Sequence, residues 1–252
     1  MSKWKSLNTI YLYDGTFNGL LTIVFDCYLH KILPADIVDQ NTFQVDLLSN
    51  YQVIQTNEKK AKRIFDGIQK SISFETLYHN YHAFLSVAPQ KEMAILKYLC
   101  LGFSLGPKVD SMLSVDFILK VQKLRKRVLY ENQKLKGLTR FVKIDQNLYY
   151  ASLHPTNHLI ELLGNHFIRR LPTQNFILHD KNRNLAFLYN TKEYTIEDAS
   201  YVSLPTLSEE EQYYQSLWKT FWKTIAIKER TNPRLQMQFM PKKYWKDLIE
   251  MS

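Results

Sequence analysis

Two cysteines in 252 residues, Cys27 and Cys100, are too few and too far apart for a disulfide framework or a zinc ribbon. Both sit in apolar surroundings, which fits a reducing cytoplasm. Glycine is scarce, and neither G-x-x-x-x-G-K-[ST] nor G-x-G-x-x-G occurs, so no phosphate-cradling loop is written locally. No run of about eighteen apolar residues exists to span a bilayer, and residues 1–8 lack a signal-peptide stretch, so no membrane partner is expected. G-x-S-x-G, a Cys–His signature and a carboxylate dyad are missing as well. No metal and no cofactor is expected from the motifs. Acid is in short supply: 24 Asp and Glu face 33 Lys and Arg, a net charge of +9. That excess attracts phosphate backbones, anionic lipid or acidic partners without choosing among them.

What is present is enough apolar residue, 45%, for a cooperative core. Thr9–Tyr13 reads as a strand stopped by Asp14-Gly15, after which Thr16 caps a helix through Leu20, Leu21, Val24, Phe25 and Tyr28. A β-rich stretch at Tyr51–Gln55 follows, then helical patterns over 58–71, 73–86 and 89–103. Gly102 to Lys108 reads best as a helix end followed by a proline turn. From Ser114 to about Leu135, a 100° wheel puts Phe117, Val121, Leu124, Val128 and Leu135 on one stripe. Lys120, Lys123, Arg127 and Lys134 line the neighbouring stripe.

After Gly137 the period changes to two. Leu138–Ile144 and Leu148–Leu153 read as a hairpin, a helix spans about Asn157–Arg170, and Phe176–His179, Leu185–Tyr189 and Lys192–Ile196 read as further strands. Ser208 with Glu209, Glu210 and Glu211 launches a long helix to about Lys228, which Pro233 limits. The expected fold is α+β: a helical N-terminal half and a C-terminal helix packed on an antiparallel sheet. With no repeat or flexible linker, residues 1–252 read as one domain with a soft division near Gly137.

Three regions carry the candidate chemistry. On the C-terminal helix Trp218, Phe221, Trp222 and Ile225 form an apolar face, and Lys219, Lys223 and Arg230 fall on a different one. The aromatics are either core or a stacking surface for unpaired bases, with the cations neutralising phosphates. Beyond the Asn-Pro turn, Arg234, Lys242, Lys243, Tyr244 and Trp245 combine charge with flat aromatic surface, Trp245 serving either as a stacking ring or as an anchor for the C-terminus. The third region holds His154, His158 and His166 with Arg169 and Arg170. His158 and His166 are the catalytic candidates there, His158 sharing a helical face with Glu161. Its spacing matches no zinc pattern. His79 with His82, and Asp26 with Cys27 and His30, lack the further ligands a metal needs.

The segments YDGTFNGLLTIVFDCY (13–28), YLCLGFSLGPKVD (98–110), ENQKLKGLTRF (131–141), NHFIRRLP (165–172) and SLWKTFWKTIAIKERTNPRLQMQFMPKKYW (216–245) together resemble one bacterial family. It is the DNA-metabolism or DNA-repair protein family whose members accompany a separately encoded radical-SAM protein, with a related domain fused to uracil-DNA-glycosylase-like proteins. The resemblance implies DNA and a radical-SAM protein as partners. It carries over no catalytic residue. Arg140 joins the basic residues expected at DNA. The family's histidine two positions after the glutamate is Gln133 here. The leading reading is a DNA-binding accessory protein; the alternatives are an enzyme acting directly on DNA and an adaptor between proteins.

Overall fold

The computed structural model describes residues 4–44, 50–200 and 207–251. Residues 1–128 and 129–252 form two compact units, each described by itself.

In the first unit the chain runs β1 (Lys5–Ser6), β2 (Ile10–Tyr13), α1 (Phe17–His30), β3 (Ile32–Leu33), β4 (Asp36–Asp39), β5 (Tyr51–Val53), α2 (Glu58–Ser71), α3 (Phe74–Phe84), α4 (Lys91–Leu105) and a 3-10 turn at Gly106–Ser111. The start of α5 (Asp116–Leu138) completes it. Capping chemistry sets the boundaries. The side chains of Thr16, Asn57 and Ser73 each accept from a backbone amide three residues on. Gly106, at φ +66°, ends α4 in the left-handed region just before Pro107. The helices bury Leu20, Leu21, Ile23, Val24, Ile68, Ile95, Leu96 and Leu99 in one core.

The mostly helical expectation for this half omits a sheet. β4, β2 and β5 lie side by side in that order and all pair parallel, and β1 pairs parallel with β3. The Asp-Ile-Val-Asp of β4 is too short and too acidic at its ends to give a period-two signal.

The second unit holds the rest of α5, then β6 (Val142–Asp145), β7 (Leu148–Leu153), α6 (Ile160–Arg170), β8 (Asn175–Asp180), β9 (Leu185–Tyr189), β10 (Tyr194–Asp198), α7 (Glu209–Ile225) and α8 (Pro233–Phe239). Three 3-10 turns follow α7 and α8, at Lys228–Arg230, Lys242–Asp247 and Ile249–Met251. The sheet order is β10-β9-β8-β7-β6. It is mostly antiparallel, as expected for an α+β protein, but β7 and β8 pair parallel from Leu148↔Asn175 to Leu153↔Asp180. A parallel pair needs a crossover, and α6 supplies it.

Alternation assigns the two faces of this sheet. Tyr149, Ala151, Phe176, Leu178 and Phe187 share the face on which α6 packs, close enough that a Cβ on Gly164 would lie 2.3 Å from the Phe187 ring. Tyr150, Ser152 and His179 share the opposite face, which meets Asp247 of the Lys242–Asp247 turn.

Candidate nucleic-acid interface

The α6 helix buries Ile160, Leu163, Gly164 and Phe167 and leaves Arg169 and Arg170 exposed in its last turn. They offset the helix's negative end there, and so does Lys136 in the last turn of α5. These two helix ends border a cleft of about 490 Å³, whose walls include Lys136, Thr139, Phe141, Tyr149, Arg170 and Gln174. His166 reports the field in this region. Burial lowers its pKa, and Lys136, Arg169 and Arg170 lower it further. The ion pairs of this unit use other residues, so these three cations stay unneutralised among the described residues.

Several cations expected at a nucleic-acid surface are instead engaged inside the unit. Arg140 grips Glu250 with Nε (3.3 Å) and Nη2 (2.7 Å) while Nη1 donates to the Gly137 carbonyl. Lys134 donates to the Gln238 carbonyl at 2.7 Å and lies over the Tyr130 ring. Lys243 donates to Glu131 at 2.9 Å and to the Thr156 hydroxyl at 2.7 Å.

Tyr244, expected to give flat aromatic surface at DNA, is 2% exposed, and its hydroxyl donates to Glu131 at 2.6 Å. Its ring has no free face. Trp245 is half-buried, donates its indole N–H to the Met240 carbonyl at 2.8 Å and carries Lys242 over its ring.

Lys243 and Tyr244 are held by Glu131, a buried carboxylate that the charge pattern hid. Besides Tyr244 and Lys243 it accepts the Thr156 amide (2.9 Å), the Asn157 amide (3.0 Å) and the Asn157 side-chain amide (2.6 Å). Burial pushes its pKa up, but the hydrogen bonds outweigh burial and hold it at about 2. A carboxylate so saturated is a structural clasp with no lone pair left for a general base. One signal in the sequence marks it: Glu131 lies three residues after Val128 and four before Leu135, on the apolar stripe of α5.

His158 is exposed and lies just before the first residue of α6, with Glu161 in the helix's first turn. Two histidines outside the candidate pair are held by hydrogen bonds. His154, one residue past β7, presents Nδ1 to both oxygens of Asp247 at 2.9 Å, and the Ser152 hydroxyl donates to Asp247 at 3.1 Å. Alongside, Tyr150 shares a hydrogen bond of 3.0 Å with Nδ1 of His179, which is 1% exposed and whose Nε2 finds no partner among the described residues. Burial, then Lys181 and His154, lower the His179 pKa; burial and the Asp247 charge push the Tyr150 hydroxyl up to about 12.

The α7 helix buries none of its residues. Trp218 lies against Glu250, donating its indole N–H at 3.0 Å, while Leu217, Phe221 and Ile225 are about half exposed. Trp222, Ile225, Ile227, Leu235 and Phe239 line an apolar groove of about 570 Å³ that also includes Arg230. Lys219 is half-buried, and Lys223, Arg230 and Arg234 are exposed. In the first unit Lys123 and Arg127 are exposed and Lys120 is half-buried; none of the three forms an ion pair among the described residues.

Fold and surface thus define an α+β protein with a cation-rimmed cleft at the ends of two helices. Residues 89–250 match the model of a family described as a domain of unknown function, DUF4130, and the chain belongs to that family. No curated protein matches it. Among solved structures, a pGpG-specific phosphodiesterase, PggH, from Vibrio cholerae aligns over 71% of this chain and 81% of its own at 11% identity, with a TM-score of 0.34. So slight a likeness bears on neither fold nor function. No helix among the described residues is long and apolar enough to cross a membrane.

Proposed function

We propose that this chain is a DNA-binding accessory protein of DNA repair or modification that presents DNA to a separately encoded radical-SAM partner. The observation that carries the reading is the set of cations near His166 (Lys136, Arg169 and Arg170) that form no ion pair among the described residues, two of which, Lys136 and Arg170, wall an open cleft. Phosphates supply the missing counter-charge at such a surface. The resemblance of the chain's segments to a DNA-metabolism family supports the substrate. A partner is supported by the half-exposed Leu217, Phe221 and Ile225 of α7 and the adjoining groove, apolar surface of the kind protein contacts cover. The cluster chemistry belongs to that partner, because two buried cysteines do not supply the three thiolates a radical-SAM cluster requires.

Binding of labelled DNA across a salt series tests the reading. Changing Lys136, Arg169 and Arg170 together to Gln should flatten the dependence of log K on log salt by about 0.9 per lost phosphate contact. Unchanged affinity and slope, with the fold intact, would assign the cluster to helix-dipole compensation. The same assay on Lys120→Gln, Lys123→Gln and Arg127→Gln asks whether the first unit adds contacts.

The second reading, direct chemistry on DNA, is favoured by one observation. Asp247 fixes Nδ1 of His154, the arrangement that leaves Nε2 to move a proton. Turnover of an oligonucleotide without any partner, abolished by His154→Gln, would establish it over the first.

A further inference from the structure

We infer that the cleft beside α6 holds a single unpaired nucleotide, an assignment that rests on the DNA-binding reading and narrows it to one substrate class. Three kinds of wall meet there, and a nucleotide has three matching parts. Lys136 and Arg170 offer charge to a phosphate. Tyr149 and Phe141, both half-buried, offer aromatic surface to a base. Phe141 is held edge-on by Phe167 (5.0 Å) and Phe176 (5.7 Å), so its orientation is set before a ligand arrives. Gln174 offers an amide, donor and acceptor together, to a base edge. Arg140 is a wall and not a free cation, tied to Glu250 and to the carbonyls of Gly137 and Thr139.

A bare phosphate has no use for the aromatic walls, and an apolar peptide side chain has none for the cations. A volume of about 490 Å³ lies within the range of small-ligand pockets. A paired nucleotide is excluded by its own duplex: both faces are stacked and its edge is bonded. The occupant is therefore a nucleotide in a single strand, a bulge or an extruded position.

The test uses the full chain and three labelled DNAs of equal length: a fully paired duplex, the same duplex with a one-nucleotide bulge, and a single strand. The bulged and single-stranded probes should bind more tightly than the paired one by between about 5-fold and 150-fold, the worth of one stacked base. Tyr149→Leu, which keeps apolar bulk but removes the π-face, should erase most of that preference. Gln174→Ala, on a side chain that makes no hydrogen bond among the described residues, should alter the ranking of the four bases at the bulge. Equal affinity for bulged and paired probes, with binding retained, would overturn the nucleotide assignment and leave the DNA-binding reading standing. No binding to any probe at low salt would overturn both.

Discussion

Replacing Glu131 by Gln should destabilise the second unit far more than a change of two atoms suggests. The carboxylate accepts five hydrogen bonds: three at Oε1, from Tyr244, Lys243 and the Thr156 amide, and two at Oε2, from the Asn157 amide and side chain. Gln keeps one acceptor oxygen and turns the other into an NH2 that faces donors. A folded-state pKa near 2 against a reference of 4.5 gives the ionised carboxylate about 3 kcal/mol at neutral pH. The urea midpoint should therefore fall by roughly 1–3 M, measured by far-UV circular dichroism. The folded pKa is depressed, so this stabilisation is complete above pH 4.5 and is lost as pH falls toward 2. The gap between wild type and Glu131→Gln should accordingly narrow from pH 4.5 downward and close only toward pH 2. Two results together would refute the reasoning: a pH 7 difference under about 0.5 kcal/mol, and a gap that stays the same down to pH 3. Tyr244→Phe, which removes one donor, should cost about 1.5–3 kcal/mol as a bond to a charged group.

Gly164→Ala should destabilise despite alanine's better helix propensity, because the new Cβ meets the Phe187 ring at 2.3–2.5 Å. Overpacking of about 1–3 kcal/mol outweighs a propensity gain of about 1 kcal/mol, and a stabilised variant in thermal melting would contradict the packing described. Burial lowers the pKa of His179 below its ordinary value, so the folded state favours the neutral ring. Its contribution is present above its ordinary pKa of about 6.5 and declines as pH falls through the folded value. Imidazole NMR should show His179 titrating below the ordinary value of about 6.5, and a midpoint at or above it would contradict its burial.

The sequence made the helices legible because their cores repeat every three or four residues. The stripe over Val121, Leu124, Val128 and Leu135 is buried as the wheel places it, with Ile118 taking the deepest position ahead of the half-buried Phe117. Strands were legible singly, yet their partners were not. Alternation in Leu148–Leu153 marks β7 but is silent on direction, and the parallel pairing with β8 follows only from the length of the α6 crossover. The polar network was the least legible part. Glu131 meets Tyr244 across 113 positions and His154 meets Asp247 across 93, separations that no local pattern encodes. Net charge pointed to a polyanion as a class of partner, but it did not distinguish Lys136 and Arg170, which form no ion pair among the described residues, from Arg140 and Lys243, which are paired.

The span from Glu131 to Tyr244 also bears on how the protein is made. At about 5–20 residues per second, a ribosome adds the donor hydroxyl roughly 6–23 s after the acceptor carboxylate. Residues 1–128 precede all of these groups in the chain. Thr156 and Asn157 follow Glu131 within 26 residues, but Lys243 and Tyr244 are missing throughout that interval from an acid on the apolar stripe of a helix that has already been synthesised. Water must stand in for those two donors until they arrive. The second unit therefore locks late in synthesis, and a nascent chain arrested before residue 243 should be markedly more susceptible to protease in this unit than the finished protein.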